Sequence, residues 1–183
     1  MSPLNVVFII LSILSPVSYT RKMLQGSTKP HRVTRLVVWV ASLTGLIAVL
    51  NSSSSTGKLF AVIFFIRATY LLGMSLKYGV GGRSRRDILC LALSLIGIVL
   101  AFASYGLIGV MFAVLADIIG YVPAYIKTYK DPSSEEPYFY ILEALAATVA
   151  LIGIGKFKVD VIMPVYFVVS NITMLGFIRR KKS

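Results

Sequence analysis

The sequence has 183 residues, of which 57% are hydrophobic and 14% are charged, with a mean hydropathy of +0.83. This composition excludes an ordinary soluble domain and predicts an integral membrane protein. The net charge of +12 does not indicate nucleic-acid binding, because the basic residues form short clusters between apolar runs, as membrane topology requires.

Seven apolar runs follow one another along the chain, each close to the length of about 20 residues that crosses a bilayer as a helix. The first begins at Leu4 with no positive residue before it and no small-residue cleavage site after it, so we expect a retained helix rather than a secretory signal. A weak break at Ser104, Tyr105 and Gly106 divides residues 88–125, which are too many for one crossing. The runs are 4–20, 33–51, 58–77, 88–104, 106–127, 138–155 and 160–178.

The lysines and arginines indicate the orientation, because basic residues of short loops favour the cytoplasmic side. Most of them lie in or beside the segments that follow the first, third, fifth and seventh runs, at 21–35, 77–86, 127–130 and 179–182. We therefore predict that the N-terminus lies outside and the C-terminus lies in the cytoplasm. This asymmetry requires an odd number of crossings, and it supports the break near Gly106.

The chain also superposes on itself with a shift of about 106 residues, which indicates an internal repeat. The segment Ser18-Tyr19-Thr20-Arg21 then lies against Ala124-Tyr125-Ile126-Lys127. In each copy a basic loop with a late proline joins the first helix to the second. We predict an all-α membrane protein of two parallel three-helix bundles joined by a connector helix. The predicted units are 1–79 for the first bundle, 80–104 for the linker and connector, and 105–183 for the second bundle and basic tail.

The loop of the second copy resembles a known motif. Residues 123–130, Pro-Ala-Tyr-Ile-Lys-Thr-Tyr-Lys, and the following segment 131–135 resemble the proline-glutamine loop of the PQ-loop superfamily, which includes the SWEET and SemiSWEET (MtN3-like) sugar transporters. Ala124 stands where that motif has glutamine. The layout of three, one and three helices is similar to full-length SWEET proteins over essentially the whole chain. The chain also resembles uncharacterised bacterial seven-helix membrane proteins with a loop of this kind.

This resemblance implies transport by alternating access, in which the two bundles rock about a central site. It implies proline hinges, which Pro16 and Pro123 match in the first helix of each bundle, whereas Pro30 and Pro137 come just before the second helices. Gly120 lies one turn before Pro123 and permits close approach of another helix, so a bend is predicted there. The alternative is that these residues only shape static packing.

Three ionisable residues lie well inside apolar runs, away from the run ends, and a charge costs on the order of 3 kcal/mol at a helix centre. They are Arg67, Asp117 and Glu143. We expect them to face the bundle interior, with an ion pair between Arg67 and Asp117. The pair is either purely structural or part of a site. In a site, Arg67 binds an anionic solute, or Asp117 or Glu143 carries a proton that is coupled to transport.

The resemblance implies two further site residues. In SWEET proteins an asparagine in the third helix of each bundle lines the sugar pocket, with tryptophan nearby. Asn171 matches that asparagine, whereas the superposition puts Ala68 at the equivalent position of the first bundle. Trp39 is the only tryptophan, and it can equally be an interfacial or packing aromatic. These departures make a small charged metabolite as suitable a solute as a sugar.

Other chemistry has little support in the sequence, so neither an enzyme nor a cofactor is predicted. His31 has no second ligand at a metal-binding spacing, residues 79–82 lack the pattern of a phosphate-binding loop, and Cys90 is the single cysteine.

We expect a facilitative transporter of a small polar solute in a bacterial or archaeal plasma membrane. Its partners would be the solute and the lipid bilayer, with no nucleic acid. The sequence leaves open whether the chain forms a homo-oligomer. The alternative is a receptor or scaffold of the same fold that transports nothing.

Overall fold

A computed structural model of the protein describes residues 2–49, 54–82, 84–104, 106–154 and 159–180. Within these residues the chain forms seven α-helices, with short 3-10 turns at Pro132–Ser134 and Val159–Val161. The helices are α1 (Pro3–Leu24), α2 (Arg32–Val49), α3 (Ser55–Tyr78), α4 (Arg85–Ala103), α5 (Gly106–Lys130), α6 (Pro137–Ile154) and α7 (Ile162–Arg179).

Six of the described helices are long and apolar enough to cross a membrane: α1, α3, α4, α5, α6 and α7. Their outer faces carry large apolar side chains that are exposed in the isolated chain, such as Ile13 on α1 and Val99 on α4. Faces of this kind suit contact with lipid rather than water. The prediction of an all-α, multi-pass membrane protein is confirmed at this level.

Two predictions about individual segments remain, the apolar run at 33–51 and the weak break near Gly106. The run at 33–51 forms α2, and residues 50 and 51 lie outside the described residues, so a seventh crossing stays a prediction. The break between α4 and α5 is confirmed. α4 ends at Ala103, Ser104 follows with an extended backbone, and α5 begins at Gly106.

The helices pack in a regular order of neighbours. α1 packs against α3 and α6, and α2 packs against α3 and α5. α7 packs against both α5 and α6, while α4 lies on α5 and also touches α2. The interior between these helices contains mainly alanine and aromatic side chains, and the small alanines permit close helix packing.

The connections α1–α2, α3–α4 and α5–α6 meet at one end of the molecule, which we call the basic end because of their lysines and arginines. The backbone N–H of Lys29 donates to the carbonyl of Ser134 at 3.1 Å, which joins the first and third of these connections. The N–H of Val80 donates to the carbonyl of Pro30 at 2.9 Å, which joins the first and second. Hydrogen bonds between loops therefore fix the helix ends relative to one another.

A buried histidine lies where two of these connections meet. The Nε2 atom of His31 lies 3.4 Å from a carboxylate oxygen of Asp87. A Cβ on Gly81, which has a φ of +81°, would lie 2.1 Å from the same nitrogen. Burial lowers the pKa of His31, and this effect outweighs the opposing charges of Asp87 and Glu135, while Lys127 lowers the pKa further. His31 is therefore neutral at pH 7.

We expect the stability of the protein to fall when the pH drops below the ordinary histidine pKa of about 6.5. Because the pKa of His31 is lower in the folded state than in the unfolded chain, the unfolded chain takes up the proton first. The contribution of neutral His31 to the free energy of unfolding is therefore fully present above the ordinary histidine pKa. It is lost as the pH falls towards the lower pKa of the folded state. The measurement is the unfolding temperature in detergent between about pH 7.5 and about pH 5.5.

The control for this prediction is His31→Gln, which has no titrating group at this position. We expect a weaker pH dependence of the unfolding temperature in this variant than in the unchanged protein. An identical dependence in the two proteins would contradict the assignment to His31.

Candidate functional site

The predicted hinge residues lie inside two long helices, Pro16 within α1 and Pro123 within α5. Pro123 has no N–H to bond the carbonyl one turn before it. Gly120 is a point of close contact with α2, because a Cβ there would lie 2.3 Å from Cγ1 of Val37. The Gly120 carbonyl accepts a 2.8 Å hydrogen bond from the hydroxyl of Thr34. The α2–α5 contact therefore depends on a glycine, while motion about it stays a prediction.

We expect Gly120→Ala to lower the free energy of unfolding by about 1–3 kcal/mol, because the added methyl group must displace Val37 or separate the two helices. Adding Val37→Ala should recover part of this loss. Gly73→Ala is the matched control, since a Cβ at that helical glycine meets no atom within 4 Å. The measurement is denaturant unfolding in one detergent, and equal stability of the Gly120 and Gly73 variants would contradict the prediction.

Arg67 forms its ion pair with Glu143, so the predicted Arg67–Asp117 pair is wrong. The Nη2 atom of Arg67 lies 2.5 Å from Oε2 of Glu143, and both side chains are buried. The hydroxyl of Ser15, on α1, donates to the other carboxylate oxygen. The physical reason is which helices are neighbours. α3, which carries Arg67, packs against α6, which carries Glu143, whereas α2 packs against both α3 and α5 and so lies between Arg67 and the helix of Asp117. Three helices are thereby joined at Glu143.

Asp117 lies apart from this pair, fully buried on α5. Both of its carboxylate oxygens lack a hydrogen-bond partner among the described residues, and so does the hydroxyl of Tyr166 on α7. The two side chains are close enough to interact electrostatically. Asp117 and Tyr166 therefore form a separate polar pair at the α5–α7 contact.

A small cavity lies beside the Arg67–Glu143 ion pair, with a volume of about 20 Å³. A space of this size holds about one water molecule. Three of the predicted site residues line it, and each comes from a different helix: Arg67 from α3, Glu143 from α6 and Asn171 from α7. The side-chain amide of Asn171 donates to the carbonyl of Phe167 at 2.7 Å. We call this space the central cavity.

Trp39, the remaining predicted site residue, does not line the central cavity. Its indole N–H donates to the hydroxyl of Thr69 at 2.9 Å, and its ring centre lies 6.1 Å from that of Phe65. Thr69 is exposed on the outer face of α3. These contacts are those of an aromatic side chain that packs between α2 and α3.

Arg35 lines the central cavity, although the sequence predicts that it faces the cytoplasm with the other basic residues at 21–35. It lies in the first turn of α2 and is only 6% exposed. Its guanidinium carbon lies 4.8 Å from the ring centre of Tyr19 and 5.2 Å from that of Phe139. The signal in the sequence is periodicity, because Arg35 shares a helical face with Val38 and Ser42.

Between the central cavity and the basic end, Glu135 joins three helices. One carboxylate oxygen accepts hydrogen bonds from the hydroxyls of Tyr19 at 2.7 Å and Tyr140 at 2.8 Å. The other oxygen is bound by Lys127, whose ammonium group also donates to the carbonyl of Lys29 at 2.5 Å. We call these five residues the latch. Two of them, Lys127 and Glu135, come from the end of α5 and the connection that follows it at the basic end.

Phe64 and Phe167 line the other side of the central cavity, and Phe60 packs against both of them. The ring centres of Phe64 and Phe167 are 4.2 Å apart, and those of Phe60 and Phe167 are 6.0 Å apart. Phe64 lines both the central cavity and a second small cavity, which Gly57 and Asp160 also line. We call the three rings the aromatic cluster, and it separates the two cavities.

No protein-family model, curated protein or solved structure matches this chain. The interpretation of the site therefore depends on its geometry, and the similarity to PQ-loop proteins stays a prediction.

Proposed function

We propose that this protein is a membrane transporter that carries a small polar solute by alternating access between two three-helix bundles. In this proposal α1–α3 form the first bundle, α4 is the connector, and α5–α7 form the second bundle. The basic end faces the cytoplasm, in a bacterial or archaeal plasma membrane, with the N-terminus outside. Membership of the PQ-loop superfamily belongs to the same proposal.

The order of helix neighbours supports two equivalent bundles. In the first bundle α3 packs against α1 and α2, and in the second α7 packs against α5 and α6. Across the boundary, the contact of α1 with α6 has its counterpart in the contact of α5 with α2. Parallel repeats related by an axis along the membrane normal would give this pattern. α4 stands outside it, as expected for a connector.

The observation that carries the transport proposal is a polar cavity at the boundary between the proposed bundles, closed on two sides. Arg67 belongs to the first bundle, while Glu143 and Asn171 belong to the second. The latch lies on one side of this cavity and the aromatic cluster lies on the other. A transporter in its occluded state requires a buried polar site between two closures that open in turn.

Solute flux into vesicles that contain the purified protein tests this proposal. A panel of radiolabelled sugars, amino acids and small anions is offered, and we expect at least one solute to enter faster than it enters protein-free vesicles. Asn171→Leu should then reduce the flux about tenfold, the effect of losing about 1.4 kcal/mol of solute interaction. Thr173→Val is the matched control, because Thr173 is exposed on the same helix and should not affect the flux.

Two results would count against transport. If no solute in the panel moves through folded protein, the proposal loses its support. If a stoichiometric protein partner is also recovered with the chain, the receptor or scaffold alternative replaces it.

A further inference from the structure

The charge of Arg35 is not matched by a neighbouring carboxylate. No carboxylate oxygen of the described residues lies within 4 Å of its guanidinium, which packs over the rings of Tyr19 and Phe139. A guanidinium has five N–H donors and keeps its charge at any physiological pH. Such a group, buried beside a cavity, can bind an anion strongly.

Two of the acids around this arginine are already occupied. Glu143 lines the same cavity, but its two oxygens are bound by Ser15 and Arg67. Glu135 is close enough to influence Arg35, but its oxygens are bound by tyrosine hydroxyls and by Lys127. The charged groups that line the central cavity are therefore two arginines and one glutamate. Among the residues that line the cavity, one positive charge is left over, because Asp117, a further acid that interacts with Arg35, does not line it.

The neutral groups of the cavity are also suited to an anion. Tyr121 lines the cavity, and its hydroxyl, which makes no hydrogen bond with any described residue, can donate one to a ligand. The closed cavity holds a group about the size of a water molecule. A halide ion or the head of a small carboxylate is of this order of size, and a single negative charge would cancel the remaining positive charge.

We infer that the central cavity binds a small monovalent anion, with the guanidinium of Arg35 as its main ligand and the hydroxyl of Tyr121 as a second donor. This inference rests on the proposed function, since it names the class of solute for the same site. It places the main ligand on α2, next to the latch residue Tyr19. Anion binding there would couple the solute to the closure at the basic end.

The test is the unfolding temperature of the purified full chain, titrated separately with sodium chloride, sodium formate, sodium acetate and glucose. A bulky sulfonate keeps the ionic strength constant. We expect at least one anion to raise the unfolding temperature saturably, because a ligand that binds only the folded state stabilises it by mass action. Glucose should have no effect. A response to chloride alone identifies an inorganic anion, whereas a response to formate or acetate identifies a carboxylate.

Two variants test the assignment to residues. Arg35→Met should weaken the apparent affinity for the anion about tenfold or more, whereas Arg21→Met, which removes an exposed charge near the same end, should leave it unchanged. Tyr121→Phe keeps the shape of the cavity and should weaken binding about three- to tenfold, the effect of one lost hydrogen bond. It provides the test if Arg35→Met does not fold.

The inference is overturned if no anion gives a saturable response, or if both cavity variants bind the anion as the unchanged protein does. Its failure can be distinguished from failure of the proposed function. If glucose crosses the vesicle membrane through the protein while no anion binds, transport stands and the anion site fails. If an anion binds but no solute crosses, the anion site stands and transport fails.

Discussion

Replacement of Glu143 by glutamine should lower the free energy of unfolding by about 3–5 kcal/mol, the usual cost of leaving a buried charge without its partner. The carboxylate of Glu143 accepts a hydrogen bond from Ser15 and neutralises Arg67. Without its charge, two buried arginines would lie beside one small cavity with no acid among the residues that line it. We expect the loss to appear as a lower denaturant midpoint in detergent.

The control for this prediction removes both charges. Arg67→Met combined with Glu143→Leu should be markedly more stable than Glu143→Gln alone, because apolar side chains of similar volume carry no desolvation cost. The double variant should nevertheless fail to transport if the pair belongs to the site. If Glu143→Gln were as stable as the unchanged protein, Glu143 would not be the charged partner of Arg67.

Replacement of Glu135 by alanine should open the basic end. It removes hydrogen bonds to Tyr19, Tyr140 and Lys127, and each bond to a charged group contributes about 1.5–3 kcal/mol. The population with an open latch should therefore rise by about tenfold or more. A cysteine introduced as Ala68→Cys, in the central cavity, reports this opening by its rate of reaction with a membrane-impermeant thiol reagent.

This measurement needs two controls. Cys90→Ala removes the native thiol, so that Ala68→Cys supplies the only reacting group. Ser133→Ala changes an exposed residue of the same connection and should leave the reaction rate unchanged. An unchanged rate in Glu135→Ala would mean that the latch does not control access to the central cavity.

Much of the fold could be predicted because the bilayer constrains the sequence strongly. Apolar runs of the required length marked the helices, and a glycine after two polar residues marked the end of α4. Arg67 and Glu143 could be singled out by the same logic, since polar groups inside such runs avoid lipid, whereas Asn171 was indicated by the resemblance to SWEET proteins. The structure brings all three to one cavity.

The pairing of these groups could not be predicted. Sequence gives the depth of a residue along its helix, but ion pairing depends on which helices are neighbours and on how each is rotated. Asp117 and Glu143 were both acids inside apolar runs, and only the contact of α3 with α6 selects Glu143. Arg35 was missed because it begins a helix at the basic end, where a loop arginine looks the same in sequence.

The central claim is that one cavity between two bundles is reached alternately from both ends. The direct measurement uses Ala68→Cys in the Cys90→Ala background, in vesicles of known orientation, with an impermeant thiol reagent applied from one side at a time. Alternating access predicts that this cysteine reacts from either side, and that a transported solute protects it from both. A cysteine that reacts from only one side, with or without solute, would contradict the claim.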